Sequence, residues 1–556
     1  MSVPRHFSAL ARRSSDPPIS WLMKLALERP GLISLAVGFT DSDTLPVAEV
    51  AELTRDILAR PKTARAALQY GTTAGLPQLR HALLRREVGA PTSLSGRPDD
   101  VIITNGSQQL LYLISEVLCD PGDIVLVEDP TYFVYLGIVE ALGIRAAGFS
   151  SIENLKSKIE NLKSRRLLSR LKLLYLVTYF QNPTGRTWSL EEKREGLAVV
   201  KHYERAAGHR IYILEDAAYR DLRFEGEDVP SFKSLDPRND RVAYTNTLTK
   251  PFATGMRLGY GILPTPLMRA VLRSKGNHDF GSSNFLQSIV ARVLAEGVYD
   301  RHLPQIAAAY RRKRDVMVEE LNKVGQASCL SPRGGLYIWV QLVPPIHTGL
   351  RSRFFRRALD AGVLYVPGEL CFCRDPSRRA PQNTLRLSFG APSAEQIRRG
   401  IRMLAQALAL LLLFLGGCGK PNDGASNSKG WTVLHSAVDA GNAEQTGSLL
   451  RNRPGLVQAD DGDGHTPLHV AADRGHREVA ALLVDAGAKI DAPDSCGWTP
   501  LHTAAANGRV ATAELLIARG ANFNATDGQK QTPLRLAVKW RHPDVAELIR
   551  ARGGRE

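Results

Sequence analysis

Along residues 1 to about 405, short apolar runs alternate with stretches whose apolar positions recur every three or four residues. DDVIIT (99–104), DIVLVEDP (123–130), LLYLVTY (173–179), RIYILEDAAY (210–219) and RVAYTN (241–246) are rich in β-branched and aromatic residues. Turn residues bound them, which predicts buried strands. The helical stretches between them predict βα units around a mainly parallel sheet. GGLYIWVQL (334–342) and TLRLSFG (384–390) alternate more and suit a second, smaller α+β domain. Between 152 and 165, IENLKSK is followed by IENLKSR, which places Ile152, Leu155, Ile159 and Leu162 on one face of an amphipathic helix. The apolar run MLAQALALLLLF (403–414) falls short of the roughly 20 residues a bilayer span needs. It predicts the last helix of the first region, followed by a Gly/Ser/Asn linker.

After the linker the pattern repeats. GWTVLHSAVDAGN (430–442), GHTPLHVAADRGH (464–476), GWTPLHTAAANGR (497–509) and KQTPLRLAVKWRH (530–542) are self-similar, with threonines at 432, 466, 499 and 532. A period of about 33 residues marks a helical repeat array. Thr-Pro opens a helix, small alanines allow close packing, and LLVDAGAKID and LLIARGANFN carry the glycine that ends the second helix. These segments resemble ankyrin repeats, a likeness covering about 430–554. Arg535 replaces the histidine of the other copies and the chain ends in a basic tail, as a solvent-facing cap would.

Composition narrows the field only a little. The 556 residues carry a net charge of +16. The densest basic run, KSRRLLSRLK (163–172), has leucines rather than stacking aromatics between its charges and is expected to be one solvated helix face. No nucleic-acid partner is expected. The six cysteines are scattered without a CxxC pair. That excludes a disulfide framework and a zinc site, and it suits a reducing, cytoplasmic setting. MSVPRHFSALARRSSDPP has no apolar h-region, so no cleavable signal is expected there. LGGC (415–418) looks like the lipobox of bacterial lipoproteins, and attachment of a lipid to Cys418 is the alternative to a plain helix end and linker.

Chemistry-bearing residues follow strand ends, where open α/β sheets bind ligands. TNGSQQ (104–109) opens a helix after a strand, where backbone N–H groups favour phosphate; Ser107 acting as an ordinary N-cap is the plainer reading. EDPTYF (128–133) puts an aromatic past a strand. QNPTG (181–185) holds Asn182 before a proline and a Gly-bearing turn. LEDAAY (214–219) puts a carboxylate at the end of an apolar strand, costly unless it meets a cation. TLTKPFATGMRLGY (247–260) places Lys250 between hydroxyl side chains, seven residues before Arg257, and LRLSF (385–389) places Arg386 late, on a strand. Such a set suits a phosphorylated, cationic aromatic ligand with a carbonyl that an amine can attack. Pyridoxal phosphate has each of these features.

With QYGTTAGLPQLR (69–80) added, these motifs in this order identify residues about 14–408 as similar to fold-type I pyridoxal-phosphate aminotransferases of class I/II. Within that group they resemble the branch of 2-aminoadipate aminotransferases and of the aminotransferase-like domains of certain transcriptional regulators. The resemblance implies roles. Lys250 bonds covalently to the cofactor and Asp216 pairs with its ring nitrogen, making these two the catalytic pair. Asn182 and Tyr219 hold the phenolic oxygen, and Tyr132 stacks on the ring. Ser107, Gln108, Thr247, Thr249 and Arg257 cradle the phosphate, and Tyr70 reaches the phosphate of a neighbouring subunit, because the family builds its site at a dimer interface. Arg386 clamps the substrate carboxylate, with Gly38 and Asn182 beside it. No metal is implied. Threonines replace the usual serines around the lysine, Thr254-Gly255 replaces a Pro-Gly, and Phe39 stands where a smaller residue is usual, which bears on specificity.

The expected architecture is therefore an aminotransferase at 1–408, an apolar segment and linker at 409–429 and an all-α ankyrin solenoid at 430–556. Within the first part, the large domain is expected at about 60–290 and the small one at about 14–59 and 291–408. The expected reaction is ping-pong transamination between an L-amino acid and a 2-oxo acid, with the repeats binding an unknown protein partner. Alternatives are a cofactor-binding regulator or scaffold and a pyridoxal-phosphate lyase or decarboxylase. Regulatory relatives carry a winged helix before this domain; here the likeness starts within roughly 15–20 residues of the first, which favours the enzyme.

Overall fold

The computed structural model describes residues 6–89, 96–343, 346–375, 380–416, 432–439, 441–461, 464–540 and 542–555. Cys418 and the linker around it lie outside the described residues. The chain divides into two compact units, Val3–Ala409 and Leu410–Glu556. Among the described residues no helix is long and apolar enough to cross a membrane.

The described residues of the first unit contain thirteen strands: β1 (Ile33–Ser34), β2 (Val101–Thr104), β3 (Ile124–Glu128), β4 (Arg145–Phe149), β5 (Leu171–Val177), β6 (Tyr212–Asp216), β7 (Val242–Thr247), β8 (Gly259–Ile262), β9 (Ala327–Cys329), β10 (Tyr337–Leu342), β11 (Val363–Leu364), β12 (Val366–Pro367) and β13 (Thr384–Ser388). Seven form one sheet in the order β2-β8-β7-β6-β5-β3-β4. Only β8 runs against the others, so the sheet is mainly parallel. Strands β3 and β7 are buried at every position, as strands covered on both faces are. β12-β13-β10-β9 make a separate antiparallel sheet. The N-terminal segment joins the later part of the unit through β1, where Ile33 pairs with Val363 and Ser34 with Leu364.

Two helices show how local signals set the covering layer. Ile152–Ser164 starts at Ser151, whose hydroxyl accepts from Asn154 N, and it buries Ile152, Leu155 and Ile159. Leu190–Ala207 starts with the reciprocal capping pair Ser189 and Glu192 and ends at Gly208, φ 77°. Their apolar faces meet Leu171, Leu174 and Ile213 in one core cluster, each buried side chain contributing about 1.5–3 kcal/mol. The basic run at 163–172 does not form one helix face. The helix stops at Ser164, Arg166 turns left-handed at φ 57°, Leu168–Arg170 makes a 3₁₀ turn, and β5 begins at Leu171. Leu168 and Leu171 are buried, and their burial draws the chain off the helix and into the sheet.

In the second unit, helix pairs recur: Val433–Asp439 with Ala443–Asn452, Pro467–Arg474 with Arg477–Asp485, Pro500–Ala506 with Val510–Ala518, and Pro533–Lys539 with Pro543–Ala551. Histidines stitch them together. His469 Nδ1 accepts from Thr466 N at 3.1 Å, so its proton sits on Nε2 and is donated to Trp498 O at 2.9 Å in the next repeat. His435 and His502 do the same toward His465 O and Gln531 O. Arg535 cannot accept at that place; instead Thr532 accepts from Arg535 N and donates to Arg555 O.

The repeats' stability should depend on pH in two directions. Burial lowers His435 and His502 and takes His469 down to about 4. The unfolded chain therefore binds more protons between pH 6.5 and 4, and stability falls as pH drops through that window. His469 alone accounts for up to roughly 3 kcal/mol. His465 is the opposite case. Burial would lower it, but Asp461 and Asp494 hold it up at about 10, so its contribution is complete below pH 6.5 and lost as pH rises toward 10. Thermal unfolding of a 432–556 fragment should show a midpoint that peaks near pH 6.5, with His465→Gln removing only the alkaline fall. A midpoint independent of pH from 4 to 6.5 contradicts the stitching.

Candidate active site

Because β2, β3, β5, β6 and β7 are parallel, their carboxyl ends line one edge of the sheet. The loops leaving those ends carry Ser107, Tyr132, Asn182, Asp216 with Tyr219, and Lys250. A single edge thus gathers residues from positions more than a hundred apart.

Lys250 follows β7 by three residues. Its Nζ donates to Gly38 O at 2.7 Å. Desolvation pulls the ammonium below its ordinary range; Tyr337 opposes the shift, and the cations Arg257 and Arg386 add to it. The end of β7 is pinned from within the core: Asn246 Oδ1 accepts from Thr247 N at 2.7 Å, while its amide nitrogen reaches the buried Glu87. The flanking threonines differ. Thr247 Oγ1 donates to Leu258 O at 2.9 Å and accepts from Thr249 N. Thr249 Oγ1 is buried with no protein partner.

Near Thr249's segment stands the helix Ser107–Leu118. Its N-cap is Gly106, φ 79°, so Ser107 is the first helical residue and not the cap. A side chain on Gly106 would meet Arg257 Nη2 at 3.0 Å, and one on Gly259 would meet Ser107 N at 2.3 Å. Both glycines keep the helix terminus open beside the guanidinium. Arg257 itself is left-handed at φ 47°, ψ 42°. Gln108 is exposed, whereas Gln109 bonds Asp279.

At the end of β6 two acids point to opposite faces, as period-two geometry requires. Glu215 turns into the core, where Thr178 and the backbone of Phe232 and Lys233 satisfy it. Asp216 turns to the site and accepts from Tyr175 Oη at 3.1 Å and Ala218 N at 3.2 Å. Burial outweighs those bonds and raises its carboxyl to about 6, the signature of a carboxylate awaiting a cation.

Arg386, on β13, is 2 % exposed. Nη1 donates to Asn182 Oδ1 at 2.9 Å, Nη2 donates to Ala36 O at 2.6 Å, and Nε is buried without a partner. The guanidinium lies 4.2 Å from the Tyr337 ring centroid and 5.4 Å from that of Phe133. Asn182 Nδ2 is 3.4 Å from Tyr219 Oη. Tyr132 is half-buried at the start of helix Phe133–Ala141. Tyr70 is not brought into this cluster: it is 83 % exposed, its ring edge against Phe280. Sequence reasoning missed Tyr175, Phe133 and Tyr337. Alternation gives no signal for Tyr337, because Leu336, Tyr337 and Ile338 are buried in succession.

The residues fit pyridoxal phosphate. An orphaned Thr249 hydroxyl, an open helix terminus and Arg257 suit its phosphate; Asp216 suits its cationic ring nitrogen; a buried amine suits its aldehyde.

Comparison with known proteins agrees. The family profile Aminotransferase class I and II matches residues 30–404, and ankyrin repeat profiles match 468–517 and 507–549. Aromatic-amino-acid aminotransferase 1 of Thermococcus litoralis is 33% identical over 73% of this chain and 95% of its own length. The 2-aminoadipate transaminase of Thermus thermophilus is 31% identical over 74% and 98%. The solved kynurenine aminotransferase of Pyrococcus horikoshii superposes with a TM-score of 0.66 at 32% identity, covering 73% of this chain and 98% of that one. The chain therefore belongs to the class I and II aminotransferases, the pyridoxal-phosphate enzymes of that family, and carries ankyrin repeats behind the enzyme fold.

Proposed function

We propose that this chain moves an amino group between an L-amino acid and a 2-oxo acid in two half reactions of ping-pong type. The observation that carries the reading is Lys250: a desolvated amine whose pKa is lowered, at a strand end that also presents Asp216 and Arg386. Bound there, pyridoxal phosphate supplies an aldehyde for the amine and a ring that accepts the electron pair left when the α-proton departs. Asp216 holds the ring nitrogen cationic. Asn182 and Tyr219 hold the phenolic oxygen, and Tyr132 covers the ring. Ser107, Gln108, Thr249 and Arg257 hold the phosphate, with Thr247 bracing the loop from behind. Arg386 binds the substrate α-carboxylate next to Gly38. Lys250 Nζ, unprotonated, would carry the α-proton to the cofactor's aldehyde-derived carbon in the first half reaction and would run the same transfer in reverse in the second.

Relatives named for aromatic amino acids, 2-aminoadipate and kynurenine share the α-amino carboxylate, and that shared part is the substrate class assigned here. We assign the enzyme to 1–408, the apolar segment and linker to 409–429 and the repeats to 430–556. A homodimer is supported by the exposure of Tyr70, whose ring would then serve the partner's phosphate site. Cys119, Cys329, Cys371, Cys373 and Cys496 are all free thiols, which supports a reducing cytoplasm. The repeats serve as a protein-binding module.

An amino acid supplied alone should release one equivalent of 2-oxo acid per chain and stop, and a second 2-oxo acid should restart turnover; Lys250→Ala should release none. Continuous product formation without an acceptor points instead to elimination or decarboxylation. The threonines separate structure from binding. Thr249→Val removes an orphaned hydroxyl, so the cofactor-free protein should melt no lower while cofactor affinity falls roughly tenfold. Thr247→Val breaks a made bond and should lower the melting temperature of the cofactor-free protein. Differential scanning calorimetry with cofactor titration checks both.

A further inference from the structure

The hydrogen bonds around Arg386 run in one direction. A guanidinium has donors only, so Arg386 Nη1 fixes Asn182 Oδ1 as acceptor, at 2.9 Å. Asn182 Nδ2 then faces Tyr219 Oη at 3.4 Å, and Tyr219 donates onward to Tyr337 Oη at 3.5 Å. Among the described residues the chain ends there: Tyr337 accepts, and its own proton meets no protein acceptor.

The place of that hydroxyl is well defined. A side chain on Gly38 would begin 2.1 Å from Tyr337 Oη, and Gly38 O holds the Lys250 amine at 2.7 Å. The Arg386 guanidinium lies over the same ring, 4.2 Å from its centroid. Tyr337 is 4% exposed and spans from the carboxylate clamp to the reacting amine. Nη1 and Nη2 each spend one of their two N–H groups on Asn182 and Ala36, and Nε has no partner, so part of the guanidinium's donor set is already committed inside the protein. A carboxylate has two oxygens to satisfy. Its oxygens offer about four acceptor sites, more than one guanidinium edge fills, and the unassigned proton beside Arg386 is on Tyr337.

We propose that the Tyr337 hydroxyl is a second donor to the substrate α-carboxylate, sharing its two oxygens with Arg386. This rests on the aminotransferase reading above for the identity of the ligand. Burial raises the Tyr337 phenol, and Arg386 and Lys250 more than offset it, leaving its pKa below the ordinary range and its proton a strong donor.

The test compares wild-type holoenzyme with Tyr337→Phe, which keeps the ring on Arg386 and removes only the hydroxyl. Titration calorimetry gives Kd for three amine-free carboxylates: 4-methylpentanoate, 3-phenylpropanoate and glutarate. Steady-state kinetics give KM and kcat for leucine, phenylalanine and glutamate. Loss of one hydrogen bond to a charged group should raise Kd and KM roughly tenfold or more, by similar factors whatever the side chain, with kcat held within about twofold. Unchanged Kd and KM overturn the proposal. So does a loss confined to one side chain, a fall in kcat alone, or a wild type that binds none of the three. Wild type that binds the carboxylates without transferring amino groups, with binding still weakened by Tyr337→Phe, upholds the Tyr337 assignment and overturns the aminotransferase reading.

Discussion

Two opposite charges that are kept apart govern this site. Lys250 loses water and finds only the Gly38 carbonyl; Asp216 loses water and finds only a phenol and a backbone N–H. Among the described residues neither forms an ion pair. Each is therefore pushed toward neutrality, the lysine downward and the aspartate upward to about 6. Were they to pair with each other, the site would be an ordinary buried salt bridge. Lys193 and Lys233 show that alternative. Both are fully buried and lowered to about 8, but Lys193 lies 3.8 Å from Glu215 and Lys233 3.9 Å from Asp236, and each also donates to a backbone carbonyl. Burial alone does not make a reactive lysine; burial without a carboxylate does.

The sheet keeps those two groups apart. Asp216 ends β6 and Lys250 follows β7, its parallel neighbour, so both emerge at one edge but on separate loops. The buried polar group behind them, Glu87 with Tyr244, Tyr260, Asn246 and Arg220, fixes the end of β7 from the core side. Such a network is rigid because every member is satisfied. It leaves Thr249 as the unsatisfied hydroxyl, on the side where an anion belongs.

Much of this was legible in the sequence because each motif is local: a strand, a turn and a polar residue within a few positions. Asn182, Asp216 and Lys250 could be singled out that way. Tyr175, Phe133 and Tyr337 could not, because what places them is sheet register and packing between segments far apart; Tyr337 meets Gly38 some three hundred positions away. The run at 163–172 departs from the helix face its charges suggest because burial of Leu168 and Leu171 decides the backbone. For Ser107 the plainer alternative, an ordinary N-cap, gives way, because the left-handed turn before the helix puts Gly106 in that place. The repeats were the easiest to read, since each His serves its own Thr and the next repeat alike, and the 33-residue period is that bond repeated.

The most direct test of the central claim is chemical. After incubation with pyridoxal phosphate, the chain is reduced with borohydride and its peptides are mapped by mass spectrometry. The account predicts one cofactor adduct per chain, on Lys250, with Lys193 and Lys233 untouched. Labelling of either of those lysines in preference to Lys250, or no adduct at all, contradicts it.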